Sequence, residues 1–305
     1  MTLCNLEDYR VSMSDRRRVS LYRDALARTV PGRVVCELGV GHVPLGLMAL
    51  QLGAERVYAI DTDADALEFA RRGVLERGLD GGRYITVCGH PETIELDEQI
   101  DVLVAEPLTS LGFCDDTGQR MTAARERLLA PDGLIVPQRI RCFAALAGPT
   151  QFDRQLGLWR RTLPEITGAS SEQLLETFRA TTQTMHISPS AILGSWEVWR
   201  EFTFDASGRH RQLRPLVLTA GRLGLAHGVA CCFEAELCDG VVIRSFPDAS
   251  PTPWQQAFTP FASSFRVDRG DAVYVSLTAP EQARLGALFE SRVLGATKPP
   301  STSAA

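Results

Sequence analysis

The feature that most constrains the fold is an alternation of short apolar runs with helical segments over residues 1–137. Glycines stand where two of the helices should have their C-caps, at Gly53 and Gly78. Strands that alternate with helices form a parallel sheet covered by helices on both faces. The predicted strands are 33–38, 56–60, 84–88, 101–105 and 134–137, and the predicted helices are about 15–30, 44–52, 63–77 and 118–130.

After Pro137 the pattern changes to strands without intervening helices, in the runs IRCFAALAG, WEVWREFTF, LGLAHGVACCFEAEL and AVYVSLTA. Such a series favours an antiparallel sheet. The chain is therefore predicted to be α/β, with a Rossmann-like parallel sheet over 1–137 and an antiparallel β-barrel-like domain over 138–293. A partly helical insertion is expected at about 150–190, and a disordered tail at 294–305.

Composition excludes several classes of function. The net charge is −5 and the arginines are scattered, which argues against a nucleic-acid partner. No run approaches the ~20 apolar residues of a membrane span, and the first residues have no apolar core of a signal peptide. The eight cysteines form no CxxC pair, and no histidine stands at zinc-finger spacing, so no metal site is expected. We expect a cytoplasmic protein with buried free thiols and no membrane partner.

A glycine-rich turn follows the first predicted strand, in the segment VVCELGVG at 34–41. Gly39 and Gly41 allow the backbone to turn tightly and approach a ligand. Asp61 ends the second strand, 22 residues after Gly39, where a carboxylate accepts hydrogen bonds from ribose hydroxyls. A dinucleotide fingerprint needs a third glycine at position 44, which is Pro44 here. The pattern therefore favours S-adenosylmethionine, a nucleoside without a pyrophosphate.

With these segments the chain resembles the protein arginine methyltransferases, nearly without gaps from about residue 13 to 139. The matching segments include ELGVG, GAERVYAID, ARERLLAPDGLIVP and, in the second half, LAHGVACCFEAEL and SPTPWQQAFTPF. The first match is Met13-x-Asp15-x-x-Arg18-x-x-x-Tyr22, and a later one is Gly89-x-x-Glu92. The resemblance implies a class I methyltransferase fold and S-adenosylmethionine as the cofactor.

The resemblance also implies roles for single residues. Arg18 would pair with the methionine carboxylate of the cofactor, because a guanidinium binds a carboxylate with two hydrogen bonds. Gly39 and Gly41 would pass close to the cofactor, and Asp61 would hold the ribose. Glu92 would contact the adenine end.

Two carboxylates are the predicted catalytic pair. Glu106 follows the fourth strand, at the sheet edge where open α/β folds bind ligands. In the resembled family this residue begins a loop with two glutamates, and the second position, nine residues later, is Asp115 here. A guanidinium keeps its proton at neutral pH because its pKa is about 12.5–13.8. Two carboxylates can localise its charge and aim one nitrogen at the methyl group.

Met13 and Trp254 are the predicted contacts of the methyl acceptor. Trp254 would stack on the acceptor by a cation–π or an aromatic contact, and the alternative is a core tryptophan of the β domain. Four departures from the family pattern concern this side of the site. The second acid is Asp115, shorter than glutamate by about 1.5 Å. Pro107-Leu108-Thr109 replaces Trp-Met-Gly, Pro253 replaces a histidine, and the N-terminal segment is short.

These departures favour a changed acceptor. We predict an S-adenosylmethionine-dependent methyltransferase that modifies a nitrogen or carbon of a small molecule in specialised metabolism, either a guanidine such as free arginine or an indole. The alternatives are a protein arginine N-methyltransferase and a catalytically inactive partner subunit that binds the cofactor. We also predict a homodimer, because the insertion at 150–190 occupies the place of the family's dimerisation arm.

Overall fold

The computed structural model describes residues 14–41, 44–79, 81–113, 115–148, 150–168, 170–179, 181–204, 210–212, 216–250, 252–278 and 290–297. The chain forms two compact units. The first contains residues 1–140, 201–210 and 234–244, and the second contains 141–200, 211–233 and 245–305. The second half of the chain therefore contributes two short segments to the first unit.

Over most of the described part of residues 14–136, helices alternate with strands, as the sequence predicts. The elements in chain order are α1 (Arg16–Thr29), β1 (Val34–Leu38), α2 (Leu45–Gln51), β2 (Arg56–Asp61), α3 (Ala64–Glu76), β3 (Tyr84–Cys88), β4 (Ile100–Ala105), β5 (Leu108–Thr109), β6 (Gly112–Phe113), α4 (Asp115–Leu128) and β7 (Leu129–Val136).

The main sheet of the first unit has the strand order β3-β2-β1-β4-β7 in the described part of the chain. Neighbouring strands in it run parallel. The three central strands, β2, β1 and β4, are mainly apolar and buried, as expected when helices cover both faces of a sheet. Residues Val35, Cys36, Ile60, Leu103 and Ile100 are fully buried. The predicted Rossmann-like parallel sheet is confirmed.

Local capping explains where two of the helices begin. Asp15 precedes α1 and its carboxylate accepts hydrogen bonds from the N–H groups of Arg17 and Arg18. Asp63 caps α3 in the same way. Such side chains satisfy N–H groups that the first helical turn leaves without partners.

The last strand of the main sheet differs from its predicted bounds. It begins at Leu129, although the sequence predicts helix to residue 130 and strand only from 134. The pairing with β4 shifts from Ile100↔Leu129 to Val102↔Leu134. The intervening segment APDG is therefore a bulge, because its residues have no partners in the ladder.

The rest of the chain is built mainly of antiparallel strands, as predicted. Its elements are β8 (Arg139–Ala147), α5 (Thr150–Thr167), α6 (Glu172–Arg179), β9 (Gln183–Met185), a short 3₁₀ helix (Pro189–Ala191), β10 (Glu197–Thr203), β11 (His210–Gln212), β12 (Leu216–Thr219), β13 (Gly224–Cys238), β14 (Val241–Arg244), β15 (Gln256–Val267), β16 (Ala272–Thr278) and β17 (Glu290–Thr297).

Two sheets contain these strands within the described residues. One has the order β11-β10-β8-β13-β15-β9, with β14 paired to β13, and the other has the order β12-β16-β17. Residues 294–297, assigned to the tail from the sequence, belong to β17, because their backbone pairs with β16. Residues 298–305 lie outside the described residues.

The predicted helical insertion contains α5 and α6, which pack on the second unit's own sheet. Phe152 and Leu156 of α5 and Leu175 of α6 are buried in a core cluster with Phe258 of β15. His227 of β13 contacts Asp153 of α5, with 2.8 Å between Nε2 and Oδ2. Among the described residues, no helix combines the length and the apolar character needed to cross a membrane.

The described cysteines are free thiols, and most of them are buried. Cys88 is exposed, although its position in the run ITVC suggests burial. The difference arises because Cys88 ends β3, the edge strand of the main sheet. Cys4 and Cys114 lie outside the described residues.

Candidate active site

The candidate site lies at the carboxyl edge of the parallel sheet of the first unit. β1 lies between β2 and β4, and the strand order changes direction there. Ligands of open α/β sheets bind at this kind of switch point, beyond the carboxyl ends of the strands. Gly39 follows β1, Asp61 ends β2, and Glu106 follows β4. Three of the predicted site residues thus reach one edge of the sheet from three neighbouring strands.

The glycine loop after β1 needs glycine for its backbone conformation. Gly39 has φ +79° and Gly41 has φ +52°, in the region that side chains other than glycine rarely adopt. A Cβ atom added at either glycine would have no neighbour within 4 Å among the residues that the structure describes. These residues leave space for a ligand beside the loop backbone.

Asp61 holds this loop in place. Its Oδ2 atom accepts a hydrogen bond from Gly41 N at 3.0 Å, and its Oδ1 atom accepts one from Asp63 N at 3.0 Å. Gly39 N donates to the carbonyl of Ile60 at 2.8 Å. Each carboxylate oxygen has a second acceptor site, so Asp61 can still accept from ribose hydroxyls. The sequence predicts the ribose role of Asp61, and the structure adds that Asp61 supports the loop.

Arg18 and Glu106 form a bidentate ion pair. The Nε atom of Arg18 donates to Glu106 Oε1 at 2.5 Å, and its Nη2 atom donates to Oε2. The Arg18 side chain is buried, whereas Glu106 is 22% exposed. The sequence predicts separate roles for the two residues, Arg18 toward the cofactor and Glu106 toward the acceptor. The structure joins them across 88 positions of the chain. Their assigned roles stay predictions.

The ionisation of the pair is set by burial and by the opposite charges. Burial raises the pKa of Glu106, and the hydrogen bond and positive charge of Arg18 oppose this effect. Burial also lowers the pKa of Arg18, but Glu106 outweighs this effect and the pKa of Arg18 rises. Arg18 therefore stabilises the ionised form of Glu106 against the effect of burial.

A short hairpin follows Glu106, in the segment that the sequence analysis assigns to the acceptor side of the site. β5 and β6 pair antiparallel through Leu108↔Phe113 and Thr109↔Gly112. Phe113 is almost fully buried, with its ring centroid 4.1 Å from that of Phe202. Leu108 and Thr109, which replace family residues, are thus part of an ordered hairpin.

The other predicted site residues lie outside this group. Glu92 is exposed in a turn in which Thr93 N donates to His90 O. Asp115 is the first residue of α4, and only its backbone is described. Trp254 belongs to the second unit, where its ring packs edge-on against Phe233 with centroids 5.5 Å apart. Met13 lies outside the described residues.

Glu37 is a buried residue next to the loop that the site predictions do not include. Leu45 N donates to its Oε1 atom, while its Oε2 atom has no hydrogen-bond partner among the described residues. A Cβ atom at Gly46 would lie 2.7 Å from Oε2, so a larger residue at this helix position would force the Glu37 side chain to shift. Burial raises the pKa of Glu37 to about 8, against the opposing effect of the N–H groups of Gly46 and Leu45. The sequence signal that could have identified Glu37 is its position as a charged residue inside the apolar run VVCEL.

We expect Glu37→Gln to change how stability depends on pH. The wild-type carboxyl has a pKa of about 8 in the folded chain, above its ordinary value of 4.5. The stability that the protonated Glu37 carboxyl contributes to the folded chain is therefore fully present below pH 4.5 and is lost as pH rises toward 8. The free energy of unfolding of Glu37→Gln minus that of the wild type should increase by about 1.4 kcal/mol per pH unit inside this window. Urea unfolding between pH 5 and 8 measures this difference in the free energy of unfolding. A difference between variant and wild type that stays constant with pH would contradict the expectation.

Comparisons with known proteins place the chain among methyltransferases. It is 24% identical over 312 residues to a probable protein arginine N-methyltransferase 6 of Arabidopsis thaliana, covering 87% of this chain and 71% of that protein. It is 27% identical over 271 residues to the arginine N(omega)-methyltransferase of Streptomyces achromogenes subsp. streptozoticus, covering 87% and 74%. No protein-family model matches the chain.

Solved structures give the same result for the fold. The Trypanosoma brucei PRMT1 enzyme-prozyme heterotetrameric complex with AdoHcy has a TM-score of 0.76 and 17% identity, covering 93% of this chain and 96% of that chain. The fold is therefore shared with this methyltransferase structure. The curated relatives confirm the resemblance found in the sequence: the chain is an S-adenosylmethionine-dependent methyltransferase similar to the protein arginine methyltransferases.

Proposed function

We propose that this enzyme uses S-adenosylmethionine to methylate a guanidinium nitrogen of a small molecule such as free arginine. The observation that carries the proposal is the bidentate contact of Glu106 with a guanidinium, that of Arg18. Each Glu106 oxygen accepts one hydrogen bond from Arg18 and has a second acceptor site, so the carboxylate can also accept from two nitrogens of an acceptor guanidinium, the geometry that recognises an arginine side chain. An indole offers one N–H and needs only one of these oxygens.

The residues at the sheet edge fit the cofactor. Arg18 supplies a cation for a carboxylate, Asp61 supplies acceptors for ribose hydroxyls, and the Gly39–Gly41 loop leaves open space beside its backbone. When bound, S-adenosylmethionine supplies an electrophilic methyl group. Arg18, Gly39, Gly41, Asp61 and Glu92 are its proposed binding residues.

On the acceptor side, Glu106 binds and orients the guanidinium and keeps its positive charge on the nitrogen atoms that face the carboxylate. Asp115 is the proposed second carboxylate. Met13 and Trp254 are the proposed contacts with the rest of the acceptor. The arrangement works through proximity and orientation, because the carboxylates hold a nucleophilic nitrogen in line with the methyl group.

The name of the Streptomyces relative, an arginine N(omega)-methyltransferase, supports free arginine as the acceptor. The name of the Arabidopsis relative supports the second candidate function, protein arginine N-methylation. The acidic net charge of −5 is compatible with a basic peptide but does not select one. The proposed setting is specialised metabolism in the cytoplasm.

An acceptor screen tests the proposal. The enzyme is incubated with methyl-labelled S-adenosylmethionine and, separately, with free arginine, other small guanidines, indoles and Arg-Gly-rich or histone-like peptides. Mass spectrometry then locates the label. We expect labelled guanidine nitrogen in a small molecule. Label in an indole ring would overturn the guanidine assignment, and label found only in peptides would establish the second candidate.

A homodimer is the proposed assembly, because α5 leaves apolar side chains exposed. Leu158, Trp159 and Ile166 are 54%, 43% and 76% exposed, while Phe152 and Leu156 at the start of the helix are buried. The first turns of α5 thus pack on their own unit and the later turns present an apolar face. Exposed apolar groups close together are typical of an interface.

We expect light scattering to give the mass of a dimer at micromolar concentration. Replacing Leu158 and Ile166 together by serine should shift the mass toward that of the monomer. The matched control is Leu223→Ser, since Leu223 is similarly exposed at 55% but lies outside α5. A wild-type protein that is only monomeric would remove the dimer proposal.

A further inference from the structure

Glu37 is a buried carboxyl group just before the Gly39–Gly41 loop, and none of the described residues gives it a positively charged partner. Its exposed fraction is 1%. One of its oxygens accepts a hydrogen bond from Leu45 N, and the other has no partner in the described part of the chain. A carboxylate in such a place is costly unless a positive charge comes near it. Glu37 is therefore able to respond to a cation that binds beside the loop.

Three acids reach one face of the parallel sheet from neighbouring strands. Glu37 on β1 lies opposite Ala59 of β2 and Val104 of β4. Asp61 and Glu106 each follow one of these residues by two positions, and alternate residues of a strand point to the same face. Burial raises the pKa of Glu37, and the charges of Asp61 and Glu106 raise it further, which agrees with this placement.

The other groups around Glu37 leave this face with more acidic than basic side chains. Arg18 of α1 is paired with Glu106. Helix α2, which covers Glu37, has the sequence LGLMALQ and contains no titratable side chain. Burial raises the pKa of Tyr84 on β3 and of Cys36 on β1 above their ordinary values, so both stay neutral. A cation that binds at this edge of the sheet therefore enters an acidic environment.

We propose that Glu37 makes the cofactor site sensitive to the charge on the cofactor's sulfur, so that S-adenosylmethionine is favoured over AdoHcy. The first has a sulfonium cation, and the second, which is left after methyl transfer, has a neutral thioether at the same position. A positive charge near Glu37 favours its carboxylate form, so the carboxyl proton passes to the solvent when the sulfonium binds. This preference reduces inhibition by the product. The inference rests on the cofactor part of the proposed function and not on the identity of the acceptor.

Glu37→Gln tests the inference, because glutamine keeps the shape of the side chain and cannot ionise. Calorimetry gives the dissociation constants of S-adenosylmethionine and AdoHcy for both proteins at two pH values, one on each side of the Glu37 pKa of about 8. On the alkaline side we expect the variant to bind S-adenosylmethionine about tenfold more weakly than the wild type, equivalent to ~1.4 kcal/mol for one charge pair. On the acidic side this loss should nearly vanish, because the wild-type carboxyl is then protonated.

AdoHcy should bind the variant and the wild type within about twofold at both pH values, because a neutral sulfur has no charge pair to lose. The α-amino group that both ligands carry also titrates, at about 7.7–8.0. Comparing two proteins with the same ligand cancels this contribution. Equal losses for the two ligands, or none for S-adenosylmethionine, would overturn the inference. Failure of the folded wild type to bind either ligand would refute the proposed cofactor site as well.

Two further variants separate charge from shape. Glu37→Asp keeps a carboxylate and should retain most of the preference for S-adenosylmethionine. Glu55→Gln is the matched control, since Glu55 is exposed just before β2, at the opposite edge of the sheet. It removes the same charge and should leave the dissociation constants of both ligands near the wild-type values. Thermal unfolding checks that the variants are folded.

Proton release by the wild type is a second measurement, which needs no variant. At pH 7 a carboxyl group with a pKa of about 8 is mostly protonated before binding. Calorimetric titrations in two buffers with different enthalpies of ionisation give the number of protons released on binding. We expect S-adenosylmethionine to release a larger fraction of a proton than AdoHcy does. Equal release by the two ligands would overturn the inference.

Discussion

Glu106→Gln is expected to reduce turnover by at least about 100-fold, equivalent to ~2.7 kcal/mol in the activation barrier. Glutamine keeps the shape of the side chain but removes its charge. It also offers one acceptor oxygen where the carboxylate offers two, so the bidentate contact with a guanidinium is lost. A charge-assisted contact in a partly buried site contributes more than a neutral hydrogen bond. Steady-state rates with the acceptor found in the screen measure the loss.

Cofactor affinity separates this effect from general damage to the site. We expect the dissociation constant of S-adenosylmethionine for Glu106→Gln to stay within a few-fold of the wild-type value by calorimetry. Asp115→Asn then distinguishes the acceptors. A guanidinium needs both carboxylates, so this change should be nearly as damaging, whereas an indole needs only one. Full activity in Glu106→Gln would leave Glu106 as a structural carboxylate.

Arg18→Ala is expected to weaken binding of S-adenosylmethionine by about 10- to 150-fold, the range that corresponds to 1.5–3 kcal/mol for a hydrogen bond to a charged group. The structure adds a second expected effect. Without Arg18, the carboxylate of Glu106 loses its counter-charge, and removing one partner of a buried pair is destabilising. Turnover at saturating cofactor should therefore fall as well, because Glu106 loses two of the contacts that place it.

The control for Arg18→Ala is Arg16→Ala, in the first turn of the same helix, where the side chain is exposed. It removes the same charge and should leave both cofactor affinity and turnover near wild type. Calorimetry with S-adenosylmethionine and kinetics at saturating cofactor measure the two effects separately. An unchanged dissociation constant in Arg18→Ala would refute the cofactor role of this residue, and unchanged turnover would refute its role in placing Glu106.

Most elements of the first 136 residues could be predicted because their signals are local. The period of the apolar residues changes from helical to extended within a few positions, and caps such as Asp63 and Gly78 mark the helix ends. β3 has its predicted bounds, 84–88, and α3 differs from its predicted bounds by one residue at each end. The start of β7 was missed, since a bulge is defined by which residues of the partner strand pair.

The features of the site also divide into those that the sequence predicts and those that only the structure shows. Gly39, Gly41 and Asp61 stand at recognisable places next to strand ends, so their position at the sheet edge followed from topology alone. Topology did not predict the hydrogen bond of Asp61 with Gly41 N or the burial of Glu37 beneath α2. These depend on side-chain directions after the strands have paired, which sequence spacing does not contain.

The sequence by itself determined the order of helices and strands, the parallel sheet, and the residues that reach its carboxyl edge. It did so because hydrophobic period, capping and glycine turns act over a few neighbouring residues. Only the tertiary structure decided that Arg18 binds Glu106. Arg18 and Glu106 are 88 positions apart, and they meet because α1 lies beside the end of β4, a placement set by packing of the whole domain.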